Sequence, residues 1–139
     1  MSNLFKHFYL LCVVTSLWSW FFLGGLSTDY FQELSAIWQL LLVDVIPLVV
    51  MIFMAPGVVR LMSKENPALS GFISAFYFSV PFLVYDFIYL YSFKGEGITY
   101  LVKYWYLTGF SILPWFVFPV VGLKMKSRAS TEFSKNRVV

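Results

Sequence analysis

Two aspartates, Asp44 in LLVDVIPLVV and Asp86 in SVPFLVYDFIYL, lie inside long apolar runs, and one lysine, Lys103, lies near the start of another. Each charge in lipid costs at least a few kcal/mol unless it finds a partner or changes its protonation. The chemistry open to such groups is proton transfer, binding of a hard cation, or mutual pairing. Their positions allow them to meet. At about 1.5 Å per helical residue, Asp44 lies about 12 Å and Asp86 about 10 Å below one face of the membrane, with Lys103 about 8 Å below the same face. The long lysine stem can reach either carboxylate, so an Asp44, Asp86 and Lys103 cluster is expected in that outer half. Lys103 compensates one negative charge, and the second carboxylate must be protonated or solvated. Tyr106 joins the same level. A carboxylate pair with Lys and Tyr supports acid-base work, and the same set also makes a satisfied polar network.

Four apolar stretches must position these groups. The fold expected is an all-α integral membrane protein, an antiparallel up-down bundle of four transmembrane helices at about 8–26, 36–62, 68–93 and 98–123, with a polar tail at 124–139. The first stretch follows Lys6 and His7, as a signal peptide does. No small-x-small cleavage site follows it, so it is expected to remain as a helix. On the third helix, a count of 100° per residue puts Ser79, Ser74 and Gly71 near the azimuth of Asp86, a small and polar stripe. Cys12, Thr15, Ser16 and Ser19 form a similar stripe on the first. Small residues on one face permit close helix approach, and hydroxyls bond across the interface.

Prolines adjoin both carboxylates. Pro47 follows Asp44 by three, Pro81 precedes Asp86 by five, and Pro114 and Pro119 interrupt the fourth stretch. Each removes a helix hydrogen bond, bends its helix, and leaves a carbonyl that neighbours must satisfy or that a cation or proton site can use. Pro56-Gly57 marks where the second helix stops and an interfacial segment begins.

Composition places the chain in lipid independently of these residues. Of its 139 residues, 60% are hydrophobic and 12% charged, against roughly a quarter charged in soluble domains. A domain this small has too much surface for its volume to hide that much apolar area from water. Orientation follows from Lys and Arg. Lys6, Arg60, Lys64, Lys124, Lys126, Arg128, Lys135 and Arg137 fall on one side, eight of the ten basic residues. Only Lys94 and Lys103 fall on the other, with Asp29 and Glu33. Both termini are therefore expected to be cytoplasmic, in a plasma membrane, or the inner membrane of a Gram-negative source. The tail reads as disordered or lying on anionic headgroups, not as a nucleic-acid binder. The outer face carries Trp18, Trp20, Tyr30, Trp38, Tyr89, Tyr91, Tyr100, Tyr104, Trp105 and Tyr106, an aromatic belt denser than anchoring requires.

Several chemistries have no residues to support them. The single cysteine, Cys12, excludes an intrachain disulfide and any multi-cysteine metal site, and the single histidine, His7, excludes a haem held by paired histidines. There is no Gly-rich phosphate loop, HExxH or nucleophile elbow. No catalytic residue, resident metal or cofactor is expected. The leading expectation is a protein that acts by contact within the membrane, as an accessory, assembly or inhibitory subunit. A small oligomeric proton- or cation-coupled transporter using Asp44 and Asp86 is the first alternative, and an outer-leaflet lipid-binding or lipid-modifying protein is the second. The partners expected are the bilayer and either a larger membrane complex or further copies of the chain.

Overall fold

The computed structural model describes residues 3–23, 32–63 and 65–136, and among these there is helix and no strand. Helix α1 is Asn3–Leu23, α2 is Ala36–Met62, α3 is Pro67–Phe93, α4 is the single turn Tyr100–Lys103, and α5 is Trp105–Asn136. Among the described residues, three helical stretches are long and apolar enough to cross a membrane: α2, α3, and Trp105–Thr131 of α5. Helix α1 is not among the three within the described residues, and polar residues occupy its first turns. Residues 24–26, the expected end of the first stretch, lie outside the described residues, as do Asp29, Tyr30 and Lys64.

The helices alternate in direction. Gly71 of α3 sits against the backbone of Phe118 and Pro119 in α5, Gly122 of α5 sits against Pro67 and Ala68, and Ser79 meets Ser111. Residue numbers rise on one helix as they fall on the other, so α3 and α5 are antiparallel. Thr15 meets Tyr85 and Trp18 meets Asp86, so α1 runs parallel to α3. The core between them is built from Leu10 and Val14 of α1, Met51, Ala55 and Val59 of α2, Ala75, Phe78 and Phe82 of α3, and Phe118 of α5. Many other large apolar side chains face outward, Phe53 and Phe93 each 81% exposed. That surface suits lipid and not water.

Several sequence expectations change. Helix α2 ends at Met62, the bound expected from the apolar run, and it continues through Pro56-Gly57, which does not stop it. The fourth stretch does not begin as one helix at residue 98. A 3-10 turn, Gly97–Thr99, leads into α4, and Tyr104, at φ −110° and ψ 45°, breaks the path before α5. Helix α5 then continues through Pro114 and Pro119 without a break in helical assignment. It also runs past Leu123 to Asn136, so of the two expectations for the tail, disorder or lying on headgroups, it is not disordered there; Ser130 and Thr131 return hydrogen bonds to the carbonyls of Lys126 and Ser127 one turn back. Last, the stripe on α1 packs only in part. Thr15 and Ser19 are half-buried and Thr15 bonds Tyr85 across the interface, but Cys12 and Ser16 are exposed, whereas Leu10 and Val14 are buried and Trp18 is half-buried. Large apolar residues at spacings of four gain more from burial than the small ones do.

Candidate functional site

Both membrane aspartates lie where the α-helical hydrogen-bond ladder changes. In α2 the segment Leu40–Val45 is π-helical, and Asp44 is within it. The N–H of Ile46 bonds back five residues to Leu41, and Pro47 supplies no donor at all to the turn that holds Asp44. In α3 the α-helix ends at Asp86 and the segment Phe87–Phe93 is π-helical. It closes with Lys94 N–H donating to Tyr89 at 3.0 Å and Glu96 N–H to Leu90 at 3.1 Å. Gly95, at φ 68°, makes that reversal possible, since a side chain would be strained there. Single turns of π-helix occur frequently at functional positions.

The surroundings of the two carboxyls differ. Asp86 is 4% exposed, and the indole Nε1–H of Trp18 donates to its Oδ1 at 2.9 Å. Trp18 is held by ring contacts with Tyr85 at 5.1 Å and Tyr89 at 6.2 Å, and Tyr85 is fixed in turn by a 2.8 Å hydrogen bond with Thr15. Asp44 is 7% exposed, and its Oδ1 is buried without a hydrogen-bond partner among the described residues. It lies against Gly109 of α5, where an added Cβ would fall 3.2 Å from Oδ1. Its neighbours Leu41, Leu42, Val45 and Ile46 are exposed, so Asp44 is at the rim of the bundle.

The register of α3 on α5 places Gly109 opposite about residue 81. Asp44 meets α5 near that level and Asp86 meets Trp18 of α1, and no hydrogen bond joins the two carboxyls among the described residues. Lys103 also takes another position. It is exposed at the Gly95 end of the bundle, where its ammonium pairs with Glu96 Oε1 and stands 5.5 Å from the centre of the Tyr104 ring. The physical reason is the break at Tyr104: it detaches Lys103 from α5, and a nearby carboxylate in a polar loop is a cheaper partner than one in the core. The Lys103 hydrogen bond holds the Glu96 carboxyl below its ordinary value of 4.5.

Tyr106 is fully buried in an apolar cluster with Val43, Leu90, Tyr100, Tyr104 and Leu107. Three rings expected in an interfacial belt, Tyr100, Tyr104 and Tyr106, are thus core residues, while Trp20, Trp38, Tyr91 and Trp105 are exposed. Ser79 donates to the carbonyl of Ser111 at 2.6 Å and joins α3 to α5 instead of contacting a carboxylate. Pro47 and Pro81 are half-buried beside the two sites, and Pro114 and Pro119 are buried within α5. Sequence reading missed Trp18 as the partner of Asp86, and it missed buried Gln39. The signal for Trp18 was present, because an indole N–H drawn into apolar surroundings requires an acceptor. No group of three or more metal-ligating side chains occurs among the described residues. The chain matches no protein-family model, no curated protein and no solved structure.

Proposed function

We propose that this membrane protein acts by contact, docking on a larger protein within the bilayer as an accessory, assembly or inhibitory subunit. In this reading α1 joins α2, α3 and α5 as a fourth span, and both termini face the cytoplasm across a plasma membrane. The basic residues at the amino end, at Arg60 and along the tail support that orientation. Asp44 carries the reading. Its buried Oδ1 lacks a donor at the rim of the bundle, and an ionisable group left so in lipid is costly until one is supplied. A donor on a neighbouring chain supplies it.

Native mass spectrometry after gentle extraction from the native membrane tests this. Wild type is expected in a larger assembly, and Asp44→Leu alone, with its helicity unchanged. A solitary wild-type protein, or an Asp44→Leu variant still held in the assembly, would sink the proposal. A second reading, a proton- or cation-coupled carrier, draws on the π-helical segments adjoining both aspartates. A self-contained oligomer whose reconstituted vesicles move protons only with both aspartates present would favour it.

A further inference from the structure

At the opposite end from Gly95, a cleft of about 640 Å³ opens between α1 and the link from α2 to α3, lined by Lys6, His7, Arg60, Ser63, Glu65 and Asn66 among others. That volume is within the range of ligand sites, roughly 300 to 1,000 Å³. The cleft sits where the apolar stretch ending at Met62 gives way and the one beginning at Pro67 starts, which is headgroup depth for a spanning bundle. Its shape is held by the link itself. Asn66 N–H donates to Ser63 Oγ at 3.2 Å, Asn66 Oδ1 caps α3 by accepting from Leu69 N–H at 3.3 Å, and Ser70 Oγ donates to the carbonyls of both Asn66 and Ser63.

The charges are arranged for a ligand with two of its own. Lys6 Nζ donates to the Met62 carbonyl at 3.4 Å, which anchors the side chain and leaves two further protons. Arg60 brings a guanidinium suited to a phosphate, and Glu65 brings one carboxylate. None of the three forms an ion pair among the described residues. The positive end of α3 adds to the field on the same side, and His7, with Nδ1 buried and without a partner, adds a polar wall. Among the described residues, two cations and one anion line this cleft, charges opposite in sign to those of a phosphodiester that carries an ammonium.

We infer that this cleft binds the phosphoethanolamine headgroup of a membrane phospholipid, its phosphate on Lys6 and Arg60 and its ammonium on Glu65. The inference does not depend on Asp44 or on a protein partner. The test is native mass spectrometry of the full chain after incubation with mixed vesicles containing phosphatidylethanolamine, phosphatidylglycerol and phosphatidylcholine with the same acyl chains. A parallel arm adds free glycerophosphoethanolamine.

Wild type is expected to retain phosphatidylethanolamine over the other two lipids by about fivefold, the scale of a single partly exposed ion pair. Glu65→Gln should erase that preference while keeping phospholipid bound. Joint Lys6→Ala and Arg60→Ala should release all three lipids, and Lys6→Arg with Arg60→Lys should restore them, which separates loss of the site from loss of the fold. Equal retention of the three lipids by wild type, or a preference that survives Glu65→Gln, overturns the assignment. Retention of the free diester in place of lipid would overturn the lipid part of it.

Discussion

The half of the bundle nearest Pro67 and the half nearest Gly95 are built on different principles. Toward Pro67, α3 and α5 touch backbone to backbone. Gly71 lies under Phe118, Gly122 under Pro67, and Ser74, Ala75 and Phe78 fill the remaining space with no π-helical segment. Toward Gly95, both α2 and α3 widen into π-helix, the approach to α5 breaks at Tyr104, and two carboxyls and Gln39 are buried. Close contact of small residues is how helices associate where lipid gives no hydrophobic drive. Buried carboxyls in distorted turns weaken a fold unless something else holds them, which is why the contact reading proposed above puts the partner at this end. In the proposed contact reading, the Pro67 half holds the bundle together and the Gly95 half meets the partner, with the lipid cleft beyond the packed core at the Pro67 end.

The sharpest way to break this division is Gly71→Ala. A Cβ there would sit 2.5 Å from the Phe118 carbonyl oxygen, a backbone atom that yields only if α5 moves. Overpacking of this kind costs about 1–3 kcal/mol, and the upper end is expected here. Gly57→Ala is the control, because an added Cβ at Gly57 meets nothing within 4 Å, so the substitution should be neutral or stabilise α2 by about 0.5–1 kcal/mol. Thermal unfolding in detergent, followed by circular dichroism, checks both. If Gly71→Ala is as mild as Gly57→Ala, the close-packed half is not what holds the bundle.

A smaller effect sharpens the other side. Trp18→Phe preserves an aromatic ring against Tyr85 and Tyr89 but removes the donor to Asp86, and is expected to cost about 1–3 kcal/mol. In an Asp86→Leu background the same substitution should cost little, since the acceptor is already gone. The double-mutant cycle reads the coupling directly. A cycle that closes with no coupling would mean that Trp18 serves only as a packing ring and that Asp86 is held by something else.

How much of this was legible before the fold is clearest on α3. The 100° count placed Gly71, Ser74, Ser79 and Asp86 along one face, and all four are buried. Periodicity records direction, and direction survives folding. The apolar runs likewise foretold α2, α3 and most of α5. What did not show was anything set by neighbours or by backbone register. The π-helical segments have no compositional mark, since Leu40–Val45 reads as ordinary helix. The depth expected for Lys103 assumes a continuous helix, and one non-helical residue, Tyr104, separates it from α5 on the exposed short turn α4. Tyr106 was assigned to the interface by residue type, but Val43 and Leu90 enclose it. Residue type reports a preference for depth, and packing decides which rings meet lipid.

The smallest expected effect tests Lys103 itself. Its ammonium and Glu96 form a surface pair, and such pairs contribute little to global stability. Lys103→Met should therefore leave the unfolding midpoint at neutral pH unchanged, while the Glu96 carboxyl, now held below 4.5, moves up toward that value. The sign follows from the depressed value. The pair is fully formed above 4.5 and is lost as pH falls through the lower, folded-state value, so the wild-type Gly95–Thr99 turn should loosen only in acid. Carbon NMR of the Glu96 carboxyl reads the titration, and amide exchange across the turn reads the loosening. If Lys103→Met instead lowers the midpoint at neutral pH as far as Trp18→Phe does, Lys103 belongs with the buried carboxyls, and the boundary between a stabilising half and a functional half has to be redrawn around it.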